Sequence, residues 1–354
     1  MSESRLLKLS IAALVATGIS IGAMGPAQAE KTVRLKLHGF VPSTLPILGI
    51  GGKRFSEAAT KISNKTLQFK FFEPGTLVPA FNYGDALIEG SLKVAYGSPG
   101  LHNGKVPALT VFVAVPFGPR AGEFYAWIEH GGGRAMIEEI YDGLGMRLAY
   151  PCTTVAPETA GWFKEKLNSI EDLNGKKMRI FGYGAKVLAK FGVSTQMLAA
   201  TDIYPALERG VIDGSEFSMP AIDEGLGFAE IAKFNYFPGW HQQVSLQSVD
   251  FHAETYDALS DYHKYVVEVA CGYVNQRSLA DSEGLQIASL KRMKEEQGVT
   301  TLRWPDEDLA KFRAAWDEVA AEESANDPVF KKVYDSYLAF REAYSTWGNL
   351  AYVD

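Results

Sequence analysis

Val33, Leu35 and Leu37 alternate with Arg34, Lys36 and His38, the period-two pattern of a strand with one buried face. After a loop over 39–44 the spacing changes. From Pro46 onward Phe55, Ala58, Ala59 and Ile62 recur at helical intervals. Residues 67–72 read as a second strand, stopped by Pro74-Gly75, residues 82–90 as a helix, and 92–96 as a short third strand. That order predicts βαβ units and a parallel sheet with crossover helices. Ligands of such sheets bind beyond the carboxyl ends of the strands, here 38–44, 73–77 and 97–103. The last of these loops places polar side chains, His102 and Asn103, at its far end, although solvated turn residues would look the same. The apolar run 109–117, ending in Pro116-Phe117-Gly118-Pro119, predicts a buried strand, a tight turn and a first crossing between lobes. Residues 124–141 are helical apart from their glycines, and 146–150 form the next strand.

Trp162 opens a segment that runs to a turn at Asn168-Ser169, where Ser169 can cap a one-turn helix over 170–173. Asn174-Gly175 ends that turn, because both residues tolerate positive φ. Residues 177–181 then alternate as a strand, and Arg179 sits near its end, just before Gly182-Tyr183-Gly184. A guanidinium there can hold a carboxylate with two parallel hydrogen bonds; an arginine salt-bridged on a sheet edge fits the same residues. A helix over 203–210 and a turn at Asp213-Gly214 lead to a short strand, 215–218, carrying Glu216 and Phe217. Helical patterns cover 256–280 and 281–297, a strand 299–304, and two more helices 309–326 and 328–351. The last shows an aromatic stripe, Phe330, Tyr334, Tyr337, Phe340, Tyr344 and Trp347, suited to a core or to a dimer interface.

Composition narrows the class. Residues 1–29 carry Arg5 and Lys8, an apolar stretch over 9–24, and Ala27-Gln28-Ala29. This is an export signal whose cleavage would leave Glu30 first, with an apolar run too short and Gly-rich for a membrane span. The 354 residues suit about two lobes beyond the signal. A net charge of −7 argues against nucleic acid or an anionic membrane as partner. The two cysteines, Cys152 and Cys271, lie far apart in strand-like and helix-like segments and read as unpaired buried residues, although export would permit a disulfide. No Cys/His cluster has zinc spacing, no G-x-S-x-G is present, and Gly131-Gly132-Gly133 lacks the remainder of a phosphate loop.

The run W-F-K-x-x-L-N-S-x-x-D-L-x-G-K-K-M-R, from Trp162 to Arg179, resembles the signature of periplasmic solute-binding proteins of tripartite ATP-independent periplasmic (TRAP) transporters. The resemblance spans the whole chain after the signal and is nearest to the branch that binds 2-oxo and 2-hydroxy monocarboxylates with a metal ion. It implies a two-lobed α/β periplasmic-binding-protein-like fold, with mixed sheets flanked by helices and a ligand cleft between the lobes. The expected division is 1–29 signal, 30–150 mainly the first lobe, 151–250 mainly the second, and 251–354 helices covering both. It further implies that Arg179 binds the solute carboxylate, that Asn103 brings a polar group to it, and that Phe217 packs over it. Glu216 would hold the ion, with the Phe217 main chain beside it, and Gln242, or its neighbour Gln243, would complete the shell. Membrane permease subunits are the implied partner, and a homodimer through the C-terminal helix is a feature of some relatives.

Glu158 departs from the pattern, where an amide is usual. With Glu158, Glu216 and the solute carboxylate set against Arg179, a divalent ion makes the buried charge zero and a monovalent ion leaves minus one, which is costly. Oxygen ligands of this kind suit Ca²⁺, with Na⁺ second. Glu158 could instead accept a hydrogen bond from a solute hydroxyl or amine, which would change the ligand class. Lactate or pyruvate is the expected solute. The rivals are a periplasmic metal-assisted hydrolase, supported by the two carboxylates but lacking a nucleophile–base pair, and the sensing partner of a receptor.

Overall fold

The computed structural model describes residues 30–352, so the signal read at 1–29 lies outside the described residues. Among them are β1 (Val33–Gly39), β2 (Leu67–Phe72), β3 (Val94–Gly97), β4 (Met146–Val155), β5 (Gly161–Phe163), β6 (Lys177–Arg179), β7 (Ser194–Gln196), β8 (Gly214–Ser215), β9 (Phe234–Phe237), β10 (Ser245–His252) and β11 (Thr300–Arg303). They form two sheets, in the orders β2-β1-β3-β10-β4 and β11-β9-β5-β8-β6-β7. In the first, β1 pairs in parallel with β2 and β3, as the βαβ pattern requires, with Val33 opposite Leu67 and Leu37 opposite Val94. β10 then runs antiparallel between β3 and β4. Both sheets are therefore mixed and flanked by helices. The chain passes from one sheet to the other after β4, after β9 and again before β11, so segment 151–250 supplies β10 to the first sheet and 251–354 supplies β11 to the second.

The helix Asp261–Glu295 forms from the two patterns read separately over 256–297. Ser260 starts it, its Oγ accepting from the His263 N–H at 3.2 Å. Its 35 residues span about 50 Å at 1.5 Å per residue. The length lets it pack on β4 through Ser278 and Ser282, which bond the Thr154 N–H and C=O, and also reach Met293 into the smaller core around Trp162, Leu207 and Phe228. The reading of the cysteines as unpaired is overturned here. Cys152 of β4 and Cys271 of this helix form a disulfide, with Cα atoms 4.2 Å apart across a sequence separation of 119. Distance along the chain hid the pair, because nothing local showed that the helix lies against β4.

Three further expectations change. The run 109–117 is no strand: Pro107–Phe112 is a buried 3₁₀ helix starting on Pro107, and periodicity alone cannot separate a short buried helix from a buried strand. Ser169 makes no side-chain cap; the Ile170 N–H donates instead to the Asp308 carboxylate at 3.2 Å, a partner 138 residues away. The helix predicted from 203 begins at Ala200, with Pro205 inside its span.

Candidate functional site

Arg179 closes β6 between β7 and β8, its main chain opposite Gln196 and Ser215. That register buries the side chain, leaving the residue 3% exposed. Such burial is tolerable only if the guanidinium is paired and hydrogen-bonded. Its Nη1 donates to the Glu216 carbonyl and to Glu216 Oε2, the latter at 3.0 Å, and its Nε donates to the Leu198 carbonyl at 3.4 Å. The guanidinium lies 4.9 Å from the centre of the Phe217 ring, within range of a cation–π contact. Among the described residues Nη2 takes no hydrogen bond, which leaves two N–H donors for an anion.

Glu216 and Glu158 face each other from different segments, both buried. One oxygen of each is fixed by the protein. Glu216 Oε2 accepts from Arg179 and from the Phe181 N–H at 3.1 Å, while Glu158 Oε1 accepts from Gln242 Nε2 at 2.6 Å and Ser218 Oγ at 3.3 Å. The other oxygens, Glu216 Oε1 and Glu158 Oε2, have no hydrogen-bond partner, nor does Gln242 Oε1. Burial raises the Glu158 carboxyl to about 7, helped by the charge of Glu216 and opposed by His241. Burial acts the same way on Glu216, but Arg179, His241 and the Phe181 N–H outweigh it and hold the group at about 2.

His241 is the residue that sequence reasoning passed over as a core aromatic. Its Nε2 lies 3.4 Å from Glu216 Oε1 and 3.7 Å from Glu158 Oε2, so Glu158, Glu216 and His241 form a buried trio of possible ion ligands. Desolvation pulls its imidazole down, yet the two carboxylates prevail and lift it to about 9. Behind the trio, Asp223 is buried, takes the Trp162 indole N–H at 2.8 Å, and is raised well above the carboxylate range by desolvation.

In front of Glu158 and Glu216 lies a cavity of about 60 Å³ whose other walls are mostly apolar, Phe40, Leu48, Phe81, Leu101 and Met197 among them; His241 and Asp223 sit behind its wall. Arg179, Glu158, Glu216, Phe217 and Gln242 all line it. Asn103 does not. The loop after β3 coils into a 3₁₀ helix, Pro99–His102, and carries Asn103 to an exposed place on a neighbouring hollow shared with Gly100, Phe181 and Gln196. Ser98 and Leu101 of the same loop line the cavity instead. Ser98 directly follows the end of β3, a signal the strand-end rule contains. Gln243 also lies elsewhere, donating to the Gly239 carbonyl at 2.7 Å.

A buried guanidinium beside paired carboxylates, in a cleft walled by two α/β sheets, defines a receptor for a small anion. Residues 39–327 match the family described as bacterial extracellular solute-binding protein, family 7, and the chain belongs to it. It is a TRAP transporter solute-binding protein, a family of transport receptors rather than enzymes. A monocarboxylate 2-oxoacid-binding periplasmic protein of Nostoc sp. is 31% identical over 301 residues, 85% of this chain and 82% of the relative. The crystal structure of a TRAP solute-binding protein from Bordetella bronchiseptica, a dimer with copurified calcium and picolinate, superposes with a TM-score of 0.87 at 30% identity, covering 91% of this chain and 95% of that one. One from Pseudoalteromonas atlantica, with sodium and pyruvate, gives 0.84 at 28% identity, covering 91% and 97%. Among the described residues no helix is long and apolar enough to cross a membrane.

Proposed function

We propose that this chain captures a small 2-oxo or 2-hydroxy monocarboxylate, of pyruvate or lactate size, together with a metal ion, and passes it to the membrane permease subunits of a TRAP transporter. One observation carries the reading: Arg179, whose Nη2 makes no hydrogen bond, lines the same cavity as Glu158, Glu216 and Gln242, each of which keeps one buried oxygen without a partner. About 60 Å³ holds roughly four to six water-sized places, enough for a short acid and not for a long chain. Arg179 takes the carboxylate, the Phe217 ring forms the wall over it, and Glu216, Glu158 and Gln242, with the Phe217 main chain, hold the ion. Because Glu158 Oε1 is already taken by Gln242 and Ser218, and its other oxygen faces Glu216 and His241, its place is on the ion rather than on the solute. With the His241 imidazole neutral the two carboxylates favour a divalent ion on charge, and the named relatives hold calcium or sodium.

Binding is stoichiometric and leaves the solute unchanged. Segments 30–150 and 151–250 act as the two lobes that close on it, and the C-terminal part bridges them. A homodimer accords with the exposed Trp347, Leu350 and Tyr352 at the end of the last helix and with the dimer of the Bordetella relative. The deciding experiment is a thermal-shift series against short carboxylates with and without chelator. A ligand that binds only the folded form raises the midpoint by mass action. No shift with any 2-oxo or 2-hydroxy acid in the presence of metal ions would end the proposal.

A further inference from the structure

We propose that His241 is a nitrogen ligand of the ion held in this cleft, which makes the site a mixed Glu–Glu–His centre that prefers a first-row transition ion such as Zn²⁺ to Ca²⁺ or Na⁺. This rests on the reading that an ion lies between Glu158 and Glu216 beneath the solute.

Three features of the trio converge. The atoms that face one another, Glu216 Oε1, Glu158 Oε2 and His241 Nε2, are also atoms without a hydrogen-bond partner in a fully buried place. Separations of 3.4 and 3.7 Å from the imidazole to the two oxygens exceed a normal N–H···O bond. They match donors that share one ion, since ligands about 2.1 Å from a tetrahedral centre lie about 3.4 Å apart. The far oxygen of each carboxylate is tied down, Glu216 by Arg179 and the Phe181 N–H, Glu158 by Gln242 and Ser218. Outer partners of this kind aim ligand atoms in known metal sites. The imidazole itself has no hydrogen-bond partner on Nδ1 among the described residues and is held by packing, edge-on to the Trp240 ring and beside Gly184, where an added Cβ would lie 2.9 Å from its own.

Donor chemistry then decides the ion. Ca²⁺ takes oxygens, whereas imidazole nitrogen suits zinc, iron, nickel and copper. Binding the ion displaces the proton held between the carboxylates into solvent; the neutral imidazole then adds no charge, so Glu158, Glu216 and the solute carboxylate are balanced by Arg179 and a divalent ion. Three protein ligands also leave coordination open for a solute. The residue at 241 thus changes which ion accompanies the solute while the arginine clamp stays as it is.

The test uses the full chain after the signal, stripped with chelator and titrated calorimetrically with Zn²⁺, Co²⁺, Ca²⁺ and Na⁺, with pyruvate as the solute probe. Zn²⁺ and Co²⁺ are expected to bind at least about tenfold more tightly than Ca²⁺. His241→Gln should erase about tenfold or more of the Zn²⁺ affinity, in keeping with the loss of one ligand, while Ca²⁺ affinity moves little. Should that variant fail to fold, the unaltered protein still decides: bound Mn²⁺ should show nitrogen coupling in pulsed electron paramagnetic resonance. Ca²⁺ binding as tightly as Zn²⁺, or Mn²⁺ without nitrogen coupling, would overturn the assignment of His241. If Ca²⁺ alone supports pyruvate binding, only this inference falls; if no ion and no acid binds, the proposed function falls with it.

Discussion

At the scale of single residues the site is a balance of buried charge. Arg179 is affordable in the core only because carbonyls, a carboxylate and an aromatic face surround it. Arg179→Lys keeps the charge but loses the planar fork, so a single ammonium cannot hold Glu216 and grip the solute carboxylate with two parallel bonds. The variant should lose most of the midpoint shift given by pyruvate with metal, equivalent to about 2 kcal/mol or roughly thirtyfold in affinity; a full-sized shift would remove Arg179 from the clamp. Arg179 was legible from its position, since it ends β6, whereas Glu216, which directly follows β8, was marked by the family resemblance. His241 was not legible, since a histidine between a tryptophan and a glutamine carries no local mark of the carboxylates folded against it. Asn103 came from the resemblance, as the polar residue at the family's place in that loop, but the 3₁₀ coil at Pro99–His102 turned the end of the loop away.

At the scale of elements, β1 to β4, β6, β11 and the C-terminal helices followed from period and breakers, whereas β7, β9 and β10 were not read and the pairs made across long distances left no local mark. The Cys152–Cys271 disulfide is the clearest case. It closes a loop of 119 residues, and restricting the unfolded chain over such a loop contributes about 4–5 kcal/mol in the chain-entropy treatment. Cys152→Ala with Cys271→Ala should therefore lower the urea midpoint strongly, and a midpoint unchanged from the disulfide-bonded protein would mean that packing of β4 on the long helix suffices. β1 offers a second test. His38 is fully buried on its strand, and desolvation lowers its imidazole from 6.5 to about 4, against a smaller opposing pull from the Ala80 carbonyl. As pH falls the unfolded chain takes up this proton first, so the stability it contributes is whole above about 6.5 and is lost on the way down to about 4. The loss is at most about 3 kcal/mol. His38→Phe should flatten the fall in urea-unfolding free energy between those pH values; parallel curves for the two proteins would show that His38 titrates normally.

At the scale of the molecule, the connections of the two sheets meet at glycines where an added side chain would be crowded. A Cβ on Gly100, in the segment after β3, would lie 2.7 Å from the Phe181 ring tip, in the segment after β6, and 3.5 Å from Val113. One on Gly225 would lie 3.2 Å from Pro46. Each glycine lies in a short helical connection, Pro99–His102 or Pro220–Gly225, and neither contact was visible in a pattern that shows glycines only as turns. If the lobes close about a hinge when solute binds, as proposed, extra bulk at Gly100 would be felt in the closed arrangement and relieved when the lobes part. Gly100→Val should therefore leave the melting point without solute nearly unchanged, while overpacking of about 1–2 kcal/mol in the closed form weakens pyruvate binding by roughly tenfold. This follows because apparent affinity scales with the fraction of molecules able to close. Small-angle scattering supplies the second reading: the radius of gyration should contract with pyruvate and metal in the parent and contract less in the variant. Equal contraction and equal affinity would mean that Phe181 swings aside at no cost, and that the lobes do not close against Gly100.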